Sequence, residues 1–518
     1  MMTRYLYRRG TIGILLLGSW MMAACSQSQQ PKSGPTAAGG AQTSGTGSVP
    51  QGIQLAAKMP AAAPPKSYVF PKAAVRTLEN GVRAFVISDS EQPMVTLRLV
   101  LTGAGSINDP AGKPGVANMT ADLLTQGTAS RSAKQIAEAI DFVGGTLSAS
   151  ADKDGTYIAV SVVRKDFALA MDLLSDILLH PAFRREELER RRQQALSNLE
   201  VQYADPSYIA DVVLERTVYG AHPYGLPGTG TPVSLQKIGR DDLVRFWEGH
   251  FGPQSALLAF AGDVTPDAAF AAADKYLGKT AWPKRDTKPA APEPPAVARG
   301  MRILCVDKPD ANQSQIRIGR LGIPRNHPDY LPLYVANRVF GGGFNSRLST
   351  EVRQKKGLTY GAYSGFNSYL QTGDFSASTF TRTETTVEAA KLMLDLIAKM
   401  STGALAANEL DFARDYLAGV FPIQSETGEQ VAAKILAVAQ YNLPPDYYDT
   451  YQQKVLAVSP VQIKEMSGRY FDASNLVMVL VGNVKAFREA VKKEYPQARY
   501  EELPFDRIDL LAQGLRRQ

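Results

Sequence analysis

Asn118, Ala121 and Asp122 stand at i, i+3 and i+4 within Gly115-Val116-Ala117-Asn118-Met119-Thr120-Ala121-Asp122-Leu123-Leu124-Thr125-Gln126-Gly127-Thr128, a run that reads as a helix. Side chains at those spacings share one helix face. His-x-x-Glu-His written there would set two imidazoles one turn apart, with a glutamate between them to activate a metal-bound water. The residue types defeat that chemistry: an amide is a poor zinc ligand, and a methyl group cannot take a proton. The histidines, His180, His222, His250 and His327, include no pair at i,i+3 or i,i+4, so no replacement imidazole site is visible. Gly341-Gly342-Gly343 lacks the Gly-Lys-Ser/Thr ending of a nucleotide loop. Arg353 and Tyr360 carry donors able to grip a peptide carbonyl or a C-terminal carboxylate. Read alone, an arginine beside Lys355 and Lys356 is a solvated helix face.

The elements that would position these residues occur twice. Phe251-Gly252-Pro253-Gln254-Ser255-Ala256-Leu257-Leu258-Ala259-Phe260-Ala261-Gly262-Asp263-Val264 matches Phe471 through Val484 at an offset of 220, and Thr96-Leu97-Arg98-Leu99 matches Gln315-Ile316-Arg317-Ile318 at 219. Nearly equal offsets at opposite ends of a block indicate duplication, and a period this long means two tandem domains rather than a solenoid. Each block opens with short β runs, at 83–88 and 95–101, then at 302–307 and 315–320. Helices follow, one of them entered through the capping box Ser132-Ala133-Lys134-Gln135 and closed by Gly144-Gly145. Strands at 146–151 and 156–163 and an amphipathic helix stopped by Pro181 complete a mixed order without strict βαβ alternation. The fold class is α+β, two homologous layered α/β-sandwich domains in tandem.

Length and composition frame the rest. The 518 residues carry a formal charge of +7, and without Arg4, Arg8 and Arg9 the remaining chain is about +4. Arg190-Arg191-Arg192 lies among Glu186, Glu187, Glu189 and Glu200, which reads as a solvated helix face and not a nucleic-acid surface. At the N-terminus the basic residues precede a short apolar run from Thr11 to Trp20, and Met22-Ala23-Ala24-Cys25 resembles a bacterial lipoprotein lipobox. That resemblance implies a cleaved signal over 1–24, a diacylated Cys25 and, with Ser26 following, an outer-membrane anchor facing the periplasm. Residues 25–66 form a tether poor in aromatic residues, which cannot offset the entropy of ordering. The proline cluster Lys288-Pro289-Ala290-Ala291-Pro292-Glu293-Pro294-Pro295 marks a spacer over 285–298 between domains at 67–284 and 299–505, with a tail at 506–518. Cys305, in Ile303-Leu304-Cys305-Val306, reads as a small buried hydrophobe.

Taken together, the flanks of Asn118, the His222-Pro223-Tyr224-Gly225 and Gly228-Thr229 segments, Gly262-Asp263, and Gly341 through Leu348 followed by Glu351 through Tyr360 closely resemble the pitrilysin/insulinase metallopeptidases. The resemblance covers nearly all of 67–505. It implies that the degenerate zinc site reads Asn118, Ala121, Asp122 and, by alignment on Asp205-Pro206, Asn198 as the position of the third ligand. It further implies a non-catalytic subunit without a cofactor of its own. In two-subunit members one partner carries the zinc while the other contributes an arginine and a tyrosine, here Arg353 and Tyr360, to hold an unfolded peptide docked by strand addition. The rival expectation is a scaffolding protein with no role in proteolysis.

Overall fold

Ala256–Gly262 and Val477–Gly482 are apolar at nearly every position because each is a strand covered on both faces. The computed structural model describes residues 64–284, 292–297 and 299–517. The signal segment, Cys25, most of the tether and much of the proline spacer lie outside them. The first block builds a six-stranded sheet from β1 (Ala74–Thr77), β2 (Arg83–Ser88), β3 (Met94–Thr102), β4 (Thr146–Ala151), β5 (Gly155–Val163) and β6 (Ala256–Gly262), in the order β1-β2-β6-β3-β5-β4. The second uses β7 (Arg302–Asp307), β8 (Gln313–Leu321), β9 (Ala362–Ser368), β10 (Gly373–Arg382), β11 (Val477–Gly482) and β12 (Arg499–Pro504), in the order β12-β7-β11-β8-β10-β9. Strands β2 to β6 correspond in order to β7 to β11, including a parallel β2–β6 pair matched by β7–β11. The edges beyond β2 and β7 differ. β1 is the antiparallel hairpin partner of β2, whereas β12 arrives from the C-terminal side and runs parallel to β7.

Alternate residues of each strand face opposite layers. Val95, Leu97, Leu99 and Leu101 point into a core closed by the first block's own helices, Val116–Leu124 and Phe167–Leu179 among them. The opposite face of that sheet, with Phe85, Ile87, Leu257 and Ala259, is covered by Val431, Ala432, Ile435 and Leu436 of helix Gly428–Gln440, which belongs to the second block. Reciprocally, Leu304, Val306, Val477 and Val479 of the second sheet pack on Ile209, Val213 and Leu214 of helix Pro206–Tyr219 from the first block. Each helix is locally specified. Asp205 caps Ser207 at 2.8 Å ahead of Pro206, and Thr427 with Gln430 forms a capping box. Burying such a Leu, Ile or Val side chain contributes about 1.5–3 kcal/mol, so the exchange is a principal tie between the blocks.

The repeat extends to charge. Arg98 on β3 pairs with Glu429 of the incoming helix at 3.1 Å, and Arg317, its counterpart on β8, pairs with Asp211 of the other. Arg317 is buried. The tail after 505 is also fastened: Ile508, Leu510 and Leu515 are buried, and Arg216 Nε donates to the Leu510 carbonyl at 2.9 Å. Cys305 is buried, as a small hydrophobe in β7 should be.

Candidate functional site

Helix Val116–Leu124 begins at Gly115, whose φ of 104° suits glycine. The Asp109 carboxylate accepts from the Gly115 and Ala117 N–H groups, each at 2.7 Å, and so satisfies donors that a helix start leaves open. Burial pushes the Asp109 carboxyl up to about 7 against those two hydrogen bonds. On the helix, Ala121 is fully buried. Asn118 spends its amide locally, donating from Nδ2 to the Gly228 carbonyl at 2.8 Å. Asp122 meets the Arg191 guanidinium at 2.8 Å, on the long helix Arg185–Ala204. Burial raises the Asp122 carboxyl above the usual range, and the Arg191 charge and hydrogen bond offset only part of that.

An amide, a methyl and a carboxylate already held by a guanidinium do not suit zinc. Asn198 lies two turns beyond Arg191 on the same helix and is exposed, with no hydrogen bond to Asn118 or Asp122. Among the described residues no cluster of three or more His, Cys, Asp or Glu side chains is placed to hold a metal ion. Arg191 is the residue the sequence reading missed. Its signal was present, since seven residues separate it from Asn198 and two helical turns return to the same face. The Arg190-Arg191-Arg192 run is therefore not a solvated face. Arg190 is exposed, but Arg192 is buried and donates to the carbonyls of Leu235 and Ile238.

Helix Val116–Leu124 packs on β4, the sheet edge of the first block. Among the described residues, no backbone group of Thr146–Ala151 bonds to anything outside the sheet, so that edge is open. The equivalent edge, β9, is capped at Ser364. The Ser364 N–H donates to the Gly341 carbonyl at 3.0 Å, and Asn337 Nδ2 donates to the Ser364 carbonyl at 3.1 Å. A Cβ on Gly341 would come within 2.7 Å of the Ser364 nitrogen. The triple glycine therefore caps this edge strand at Ser364 by close approach.

Arg353 falls on a π-helical turn, Ser349–Lys355, with its guanidinium 4.4 Å from the centre of the Phe344 ring. Tyr360, between this turn and β9, is 83% exposed. Neither side chain donates a hydrogen bond to another described residue, so both keep their donors for something else.

Comparison with known families agrees with this layout. The profile for "Insulinase (Peptidase family M16)" matches residues 83–231, and that for "Peptidase M16 inactive domain" matches 237–417. The chain belongs to the M16 peptidase family. A Bacillus subtilis relative named uncharacterized zinc protease YmxG is 25% identical over 351 residues, covering 68% of this chain and 84% of that protein. A Helicobacter pylori relative named non-peptidase homolog YmxG is 24% identical over 401 residues, covering 76% and 90%. A crystal structure of a peptidase M16 inactive domain from Pseudomonas fluorescens superposes with a TM-score of 0.73 at 28% identity, over 79% of this chain and 98% of that one. This chain is an M16 member of the inactive type.

In this M16 chain the His222-Pro223-Tyr224-Gly225 segment serves the junction of the two blocks. His222 Nδ1 accepts from the Tyr224 N–H at 3.1 Å, while burial holds the imidazole below its usual range. The Tyr224 hydroxyl donates to Asp154, whose other oxygen accepts from the Leu370 N–H at 2.9 Å. Tyr219 donates to Asp374 at 2.8 Å. Lys153 pairs with Glu215 at 2.9 Å and lies over the rings of Tyr219 and Tyr369. Burial pushes both Asp154 and Asp374 up to about 6.

Proposed function

We propose that this chain is the lipid-anchored, non-catalytic subunit of a zinc-dependent M16 peptidase pair. It binds the peptide, and a family member with intact His-x-x-Glu-His supplies the zinc. The observation that carries this reading is the contrast between two places in the fold. Where the chemistry of the family requires imidazoles and a general base, this chain has Asn118 bound to Gly228, a buried Ala121, and Asp122 tied to Arg191. Where a substrate needs donors, Arg353 and Tyr360 remain uncommitted. The open β4 edge supports docking of an unfolded peptide by strand addition, since its unpaired N–H and C=O groups invite another strand. The name of the Helicobacter pylori relative also favours a silent role. Anchoring would come from Cys25 in the outer membrane, facing the periplasm, across the tether at 25–66.

The test is turnover by the mixture with a zinc-bearing homologue. Alone, the chain is expected to show no chelator-sensitive hydrolysis. In the mixture it should raise peptide turnover. Arg353→Ala should lower that turnover on the order of tenfold to a hundredfold, and Tyr360→Phe by less, because a charged donor contributes more than a neutral one. Both variants should keep the dimer. Unchanged turnover in both, with complex formation confirmed by gel filtration, leaves scaffolding as the function. Cys25→Ser should release the chain from membranes.

A further inference from the structure

Between residues 338 and 356, three cations have no carboxylate partner among the described residues: Arg338, Arg353 and Lys356. Arg338 and Arg353 flank the triple-glycine loop and Phe344, and Lys356 follows three residues after Arg353. Arg338, on helix Tyr330–Phe340, lies 3.5 Å from the centre of the Tyr416 ring and donates to the Gly342 carbonyl. A Cβ on Gly343 would strike its guanidinium, which places this charge one residue from Phe344. Arg353 covers Phe344 from the other element. Lys356 follows at the end of the π turn and is exposed.

Neighbouring carboxylates do not neutralise the cluster. Glu351 is taken by Lys355 at 2.7 Å and Glu409 by Arg347. Asp415, beside Tyr416, still leaves the patch net cationic. Its rings are open to solvent: Phe344 is 55% exposed and Tyr416 45%. Aromatic side chains with arginine are the composition of binding hot spots. A guanidinium held over a ring retains N–H groups that can pair in bidentate fashion with a carboxylate.

We infer that the Arg338–Phe344–Arg353–Lys356 surface selects extended peptide segments that carry a carboxylate, and disfavours basic ones. This rests on the peptide-binding reading above and names the substrate class for that site. The carboxylate can come from acidic side chains or from a free C-terminus, and the two sources are separable.

The experiment is fluorescence anisotropy with the full chain and four labelled peptides of equal length. One is acidic with an amidated C-terminus, one neutral with a free C-terminus, one neutral and amidated, and one basic and amidated. A carboxylate-bearing peptide is expected to bind on the order of tenfold more tightly than the neutral amidated one, the scale of a charge-assisted hydrogen bond. Preference for the acidic peptide assigns the site to side chains, and preference for the free C-terminus assigns it to chain ends. Arg353→Ala and the surface reversal Lys356→Glu should each reduce that preference while the melting temperature holds. Equal binding of all four peptides, or tightest binding of the basic one, overturns the inference and leaves peptide binding standing. Binding of none overturns the peptide-binding reading itself.

Discussion

Arg191 reaches across from helix Arg185–Ala204 to hold the Asp122 carboxylate at 2.8 Å, joining that helix to Val116–Leu124. The pair is only part-buried, with side-chain exposures of 26% and 41%, so solvent screens it.

Arg191→Ala should therefore lower stability by only about 1 kcal/mol at neutral pH. Part of that loss should be recovered near pH 5, because an unpartnered Asp122, already raised by burial, takes up a proton as the pH falls. Urea midpoints at the two pH values check this. An identical deficit at both would show that the guanidinium acts through packing and not through charge.

A second pH effect belongs to the junction between the blocks. Asp374 is buried and pushed up to about 6, above its unfolded value, so its contribution to stability is fully present below the unfolded pKa and is lost as pH rises through about 6. Relative to Asp374→Asn, the native chain should gain about 1–2 kcal/mol between pH 7.5 and 5. Asp109, Asp154, His222 and His250 also titrate, and they cancel in the comparison. Parallel stability curves for the two proteins would refute the assignment.

Leu436 is almost fully buried in the layer that a second-block helix forms on the first sheet. Leu436→Ala should cost about 2–5 kcal/mol. Amide exchange should rise in β2 and β6 as well as in Gly428–Gln440, since the lost contact lies on the other block's strands. Exchange confined to the mutated helix would contradict the packing.

Gly341→Ala should uncap β9, because the added methyl meets Ser364 at its nitrogen and hydroxyl. Faster exchange of the Ser364 amide, at a cost of about 1–3 kcal/mol, is the expected result. A protected Ser364 amide in that variant would mean the cap forms some other way.

Much of the architecture was legible from local pattern. The alternation in Leu97, Leu99 and Leu101 and the unbroken apolar runs at 256–261 and 477–481 indicate strands without reference to anything distant. The capping box at Ser132 also appears as read. What escaped were long-range partners. An unbroken apolar strand announces that both faces are covered, yet not that the cover on one face comes from more than 150 residues away. Likewise Asn118, Ala121 and Asp122 declare the loss of metal chemistry by residue type, whereas the guanidinium opposite Asp122 depends on how two helices meet. Arg98 and Arg317 were visible as repeats, but their acidic partners lie on different helices outside the repeated tetrapeptide.

The traded helices also bear on how such a chain can arise and be cut. One block by itself would present Leu304, Val306, Val477 and Val479 to water, or Phe85, Ile87, Leu257 and Ala259 in the other case. A single-copy ancestor would thus be driven to a twofold, helix-swapped dimer, and joining its two genes would make that dimer one polypeptide. Proteolysis within 288–295 should accordingly yield two fragments that co-migrate and refold only as a complementing pair.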